Sequence, residues 1–145
     1  LLARVLAAAG VPATCVDATR CVWTDGRPGD AAPDPARTAA AARAALGPVL
    51  AAGRVAVVPG FLGASPSGDV VTLGRGGSDL SATLLARALG ARAAVLWKEV
   101  PGLLTADPRV VPGARLIPAL DAREAAELAR HGARVLHPRA VAALG

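Results

Sequence analysis

The sequence predicts an α/β layered fold built on a largely parallel sheet. Short apolar runs of strand length alternate with amphipathic helical stretches. Two of the runs, 54–59 and 93–97, are apolar at nearly every position, as strands covered on both faces are. The glycine-rich or charged loops follow strands, and ligands of such sheets gather at the carboxyl ends of strands. The length of 145 residues is that of one ordinary domain, and 53% apolar residues suffice for a sizeable core. No internal repeat and no second domain is visible.

The elements follow in order. Residues 1–10 read as the end of an amphipathic helix, with Gly10 closing it and Pro12 beyond. Residues 13–18 read as a short strand. Residues 24–36 are rich in Pro, Gly and Asp, which marks a loop. An alanine-rich helix over 36–52 carries Leu and Val at helical spacing and stops at Gly53. Residues 54–59 form a buried strand, 60–68 a loop, and 70–73 a short strand running into a glycine turn. A helix over 78–89 ends at Gly90. Residues 93–97 read as another buried strand, 98–114 as irregular, and Ile117 as part of a short extended piece. Residues 121–131 form a helix with a capping box of Asp121 and Glu124. Pro138 opens a last helix over 138–144.

Composition excludes several functions. The net charge of +5 comes from fifteen Arg and the single Lys98, scattered along the chain. Nucleic-acid modules need clustered cations and stacking aromatics, and here the aromatics are only Trp23, Phe61 and Trp97. No run has membrane-spanning length, and no signal-peptide pattern is present. Cys15 and Cys21 form neither a disulfide framework nor a zinc pattern, so they read as reduced thiols of a cytoplasmic protein. The chain begins without Met inside a helical pattern and ends just after another, as a piece of a longer polypeptide would.

The chemistry concentrates in Gly74-Arg75-Gly76-Gly77-Ser78-Asp79. A glycine turn ending at a helix N-terminus offers free N–H groups and the positive end of a helix dipole to an anion. Arg75 adds a planar fork for a carboxylate or phosphate. The stretch is neither a Walker A loop nor a dinucleotide fingerprint. The plainer reading is a tight turn with Ser78 or Asp79 as helix cap, although such a turn does not require an arginine between its glycines. Gly60-Phe61-Leu62-Gly63 follows a strand and lets a ligand approach the backbone, or is a simple turn. The irregular segment 98–109 offers the cations Lys98 and Arg109 and the anions Glu99 and Asp107, for nucleotide phosphates or for surface ion pairs. His137, alone before Pro138, reads as structural, with no triad or metal cluster to support catalysis.

These residues closely resemble the aspartate kinase (aspartokinase) family. The resemblance rests on Thr72-Leu73-Gly74-Arg75-Gly76-Gly77-Ser78-Asp79-Leu80-Ser81-Ala82-Thr83-Leu84-Leu85, on 97–109 with its Val-Pro-Gly and Thr-Ala-Asp-Pro-Arg, and on 132–138. The three motifs stand in the family's order and at its separations, and the likeness covers essentially the whole chain. It implies the amino-acid-kinase fold, an α/β/α sandwich around a mostly parallel sheet. It further implies ATP-dependent phosphorylation of the L-aspartate β-carboxylate, the committed step toward lysine, threonine and methionine. ATP and Mg²⁺ are the implied cofactors, and the full-length protein is expected to be a cytoplasmic homo-oligomer.

By resemblance, Arg75 clamps the substrate carboxylate and Ser78 and Asp79 are active-site groups at the helix start, with Arg75 and Asp79 catalytic. Phe61 lines the aspartate pocket. Lys98 and Glu99 stand where the family usually has Thr-Asp at the nucleotide site, a variation shared with plant enzymes that carry Lys-Asp. Leu104 replaces a common tyrosine near the nucleotide, Arg109 matches an arginine that reaches the phosphates, and Arg134 replaces a common lysine. No residue is assigned as a protein ligand for a metal. The family's N-terminal Lys-Phe-Gly-Gly-Thr-Ser motif and its regulatory ACT domains are not in the sequence. The resemblance therefore casts residues 1–145 as the C-terminal part of one catalytic domain, inactive alone. Acetylglutamate or glutamate kinase, or a non-catalytic module that kept the fold, are the alternatives.

Overall fold

A computed structural model describes residues 1–130 and 135–144. The elements are α1 (Leu2–Ala8), β1 (Ala13–Cys15), α2 (Pro35–Ala51), β2 (Val55–Val57), β3 (Leu62–Ala64), β4 (Val70–Thr72), α3 (Gly77–Leu89), α4 (Ala122–Arg130) and α5 (Pro138–Ala142). A 3-10 turn over Ala18–Arg20 is capped by the Asp17 side chain. Strands β1 and β2 pair in parallel, Ala13 opposite Val55. Strands β3 and β4 pair antiparallel, Leu62 opposite Thr72. Trp23 bridges in parallel to Ala64 and joins the second pair to the chain that follows β1. The α/β class expected from the alternating pattern is present.

Helix α2 starts at Pro35, where a missing N–H costs nothing, and the Asp34 carboxylate accepts from Arg37 N–H at 2.9 Å. Its buried positions Thr38, Ala42 and Leu46 recur every four residues, so they share one face. Leu80, Leu84 and Ala88 do the same on α3. The two faces meet with Leu73, Val22 and Cys21 in the central core. Burying an apolar side chain of this size contributes roughly 1.5–3 kcal/mol. Thr38 carries a second duty: its hydroxyl accepts from Trp23 N–H at 3.0 Å and donates to the Trp23 carbonyl at 3.2 Å. No buried side-chain N or O atom lacks a partner among the described residues.

Three expectations change. Residues 93–97 form no strand, and Val95 and Trp97 are 71% and 92% exposed. An apolar run becomes a strand only when a neighbour takes its N–H and C=O groups, and no strand pairs with it among the described residues. Conversely, β3 lies inside the stretch read as loop. Its three residues include a glycine, and Ser65, Ser67 and Asp69 form a hydrogen-bonded turn directly after it, which hides so short a strand in the sequence. Finally, β2 is only half-buried, with Val55 42% exposed. Elsewhere the reading holds closely. Asp121 accepts from Glu124 N–H at 2.8 Å while Glu124 accepts from Asp121 N–H at 2.9 Å, which is the reciprocal capping box. His137 caps α5, its Nδ1 accepting from Arg139 N–H. The extended piece at Ile117 bonds back to the Leu103 carbonyl at 2.8 Å.

Candidate active site

The loops after β2 and β4 and the segment after residue 97 converge. They form a cleft of about 520 Å³ whose wall includes Phe61, the turn 74–77, Ser78, Asp79 and Lys98, with Gly29 from the 24–34 loop. Five of the residues singled out in the sequence (Phe61, Arg75, Ser78, Asp79 and Lys98) therefore share one wall.

The turn is built around glycine. Gly76 caps α3 in the left-handed region at φ +72, with no side-chain cap bond. Neither Ser78 nor Asp79 is the helix cap, so the plainer reading of the motif does not hold. Both lie in the first turn of α3 and are free to face the cleft. A Cβ on Gly76 would stand 2.5 Å from the Cβ and Cγ of His137, and one on Gly77 would meet the Phe61 ring at 2.8 Å. Gly76→Ala is expected to cost about 2–4 kcal/mol of stability, from positive-φ strain plus overpacking against α5. Urea unfolding of the two proteins measures it, and a loss under about 0.5 kcal/mol, the usual size for an inert surface change, would contradict the packing described.

Phe61 is the one non-glycine residue at positive φ among those described, at +74. Such a conformation costs on the order of 1–3 kcal/mol and persists only where neighbours impose it. Here Phe61 N–H donates to Ser81 Oγ at 3.0 Å, Ser81 Oγ donates to the Gly77 carbonyl at 2.9 Å, and the Phe61 carbonyl accepts from Leu73 N–H at 2.9 Å. Helix α3 and β4 together fix the ring at the cleft edge, 41% exposed.

Charge in the cleft is arranged unevenly. Lys98 Nζ donates to both Asp79 carboxylate oxygens, at 2.8 and 2.7 Å, with side chains 30% and 17% exposed. Asp79 also sits in the first turn of α3, where the dipole favours a negative charge. Arg75 is exposed and makes no hydrogen bond or ion pair among the described residues, so its five donors are available to a ligand. A free guanidinium beside a paired Asp–Lys couple at a helix start suits a carboxylate ligand next to a reacting group.

Glu99, Leu104 and Arg109 do not line this wall. Glu99 is exposed. Leu104 is half-buried and bridges to Leu116. Arg109 Nε and Nη2 donate to the Asp107 carboxylate at 3.1 and 2.8 Å, which raises its already high pKa. Arg134 lies outside the described residues. Sequence reasoning missed the Lys98–Asp79 contact and Gly29. The single lysine in an arginine-rich chain was the only signal for the first, and nothing distinguished Gly29 from its turn-rich neighbours.

The α/β layer gathers glycine turns and an exposed arginine at its loop end. The whole chain, residues 1–145, matches the amino acid kinase family, and the chain belongs to that family. It is similar to the aspartokinase of Thermus thermophilus, with 42% identity over 97% of this chain and 34% of that protein. It is likewise similar to the lysine-sensitive aspartokinase 3 of Escherichia coli, 44% identical over 95% of this chain and 30% of that protein. The structure of E. coli aspartokinase III in complex with aspartate and ADP superposes with a TM-score of 0.90 at 42% identity, over 96% of this chain and 31% of that one. The chain thus spans about a third of the length of the curated relatives it matches.

Proposed function

We propose that residues 1–145 are the C-terminal part of an aspartate kinase catalytic domain. The complete enzyme transfers the ATP γ-phosphoryl group to the β-carboxylate of L-aspartate. A β-carboxylate oxygen forms a bond to the γ-phosphorus, the bond from that phosphorus to the β–γ bridging oxygen breaks, and ADP leaves. The products, ADP and 4-phospho-L-aspartate, belong to lysine, threonine and methionine synthesis. The observation that carries the reading is the convergence of Phe61, Arg75, Ser78, Asp79 and Lys98 on one cleft, in a chain whose similar structure holds aspartate and ADP.

Each residue has a role in this reading. Arg75 pairs with the acceptor's carboxylate as a bidentate clamp. Phe61 walls the acceptor pocket and Ser78 donates or accepts a hydrogen bond at its edge. Asp79 and Lys98 act together: the carboxylate holds the ammonium at the boundary between acceptor and nucleotide, where negative charge accumulates during transfer. The segment 98–109, with Glu99, Leu104 and Arg109, and Arg134 take the nucleotide. Mg²⁺, carried by the ATP phosphates, would supply charge neutralisation there. No group of three or more His, Cys, Asp or Glu that could hold a metal is found among the described residues, and Mg²⁺ ordinarily relies on substrate phosphates together with one or two carboxylates. The intact protein works in the cytoplasm as a homo-oligomer, and no described helix is long and apolar enough to cross a membrane.

An ADP-release assay on the intact gene product tests the reading. Turnover with aspartate exceeding that with glutamate or N-acetylglutamate is expected, and preference for either of the latter would reassign the acceptor. Residues 1–145 alone are expected to form no aspartyl hydroxamate above background. Robust hydroxamate from the isolated chain would show that nothing essential lies elsewhere.

A further inference from the structure

We propose that Arg139 is a positioning residue for the acceptor: from α5, outside the cleft, its guanidinium locks the glycine turn to the 29–31 loop and so fixes where Arg75 stands. The inference rests on the acceptor reading above.

The geometry is specific to a planar fork. Arg139 Nη1 donates to the Asp30 carboxylate at 2.7 Å and to the Leu73 carbonyl at 2.8 Å, and Nη2 donates to the Ala31 carbonyl at 3.0 Å. Leu73 is fully buried and directly precedes Gly74. Ala31 N–H in turn donates to the Thr72 carbonyl at 3.0 Å, so the loop lies along the end of β4. The loop is flush against the turn, because a Cβ on Gly74 would collide with the Asp30 carboxylate and stand 3.1 Å from the Gly29 carbonyl. On the other side His137 packs beneath Gly76. Arg139 of α5 and the helix's cap residue His137 therefore hold both ends of Gly74-Arg75-Gly76.

An ion pair to Asp30 alone, with Asp30 77% exposed, would contribute little. The two carbonyl bonds give the contact its directional content. They orient the backbone that carries Arg75, and small displacements of a substrate-clamping group are costly in rate. A lysine amine is a point charge without the fork, and cannot reproduce the arrangement.

The test uses the intact gene product. Arg139→Ala is expected to raise the aspartate KM by about tenfold or more while the ATP KM stays within about twofold, and Arg139→Lys is expected to restore less than half of the loss. Trypsin should cleave after Arg75 several-fold faster in Arg139→Ala, with cleavage at other arginines unchanged. Should Arg139→Ala not fold, Arg139→Gln, which keeps a single NH2 group and loses the charged fork, takes its place in both measurements. Parallel rises in both KM values, no change in either, full rescue by lysine, or uniformly faster cleavage would overturn the proposal. If the unaltered protein does not phosphorylate aspartate, the acceptor reading fails by itself, and selective cleavage after Arg75 alone decides whether Arg139 holds the turn.

Discussion

Replacing Arg75 by alanine in the intact gene product lowers kcat/KM for aspartate by about 10²–10³-fold, the size expected for losing a preorganised charged donor in a site of this kind. Most of the loss falls on the aspartate KM, because Arg75 holds the acceptor through a group that does not react. The ATP KM stays within about twofold, since a residue serving one substrate leaves the other's binding intact. Stability does not change measurably, because the side chain is exposed and makes no bond among the described residues. This separation is what distinguishes a ligand-binding arginine from a structural one. Arg75→Lys recovers only part of the loss, since an ammonium lacks the bidentate fork. Initial rates at varied aspartate, with a thermal melt of each variant, check it. An equal loss for both substrates, or a melting shift of many degrees, would remove Arg75 from the acceptor site.

Asp79→Ala carries the second large effect, a fall in kcat of about 10³-fold. Two changes combine. The carboxylate at the start of α3 is lost, and Lys98 loses both of its short contacts at 2.8 and 2.7 Å. An unpaired Lys98 is free to sit on nucleotide phosphates in the ground state, so the ATP KM falls rather than rises, a pattern expected when an interaction made only in the transition state is traded for ground-state binding. Because the residues act as a unit, the double variant Asp79→Ala/Lys98→Ala loses no more than the worse single variant within about threefold. Additive losses would mean that the two groups serve separate steps, and the pairing would then be incidental.

Much of this site was legible in the sequence, and the reasons are local. Gly74 and Gly76 announce a turn that favours glycine at positive φ, and the helical repeat of Leu80, Leu84 and Ala88 fixes where α3 begins to bury its face. Asp121 and Glu124 cap α4 through contacts three residues apart, which a sequence displays directly. What was not legible depends on partners distant in the chain. The apolar run 93–97 has strand composition, yet pairing decides its state. β3 has little strand character, yet β4 and Trp23 pair with it. The contacts of Arg139 to Asp30, and of Lys98 to Asp79, link residues that no spacing rule relates. The resemblance supplied the acceptor assignment for the turn, where spacing alone left carboxylate and phosphate both open.

That assignment is the centre of the account, and ligand-dependent hydrogen exchange on the intact gene product addresses it most directly. Aspartate alone should slow exchange of the amides of residues 73–79 and leave 98–109 unchanged. A non-hydrolysable ATP analogue with Mg²⁺ should slow 98–109 and leave 73–79 unchanged. Protection of 73–79 by the nucleotide alone, with none from aspartate, would contradict the account and return the glycine turn to the donor's phosphates.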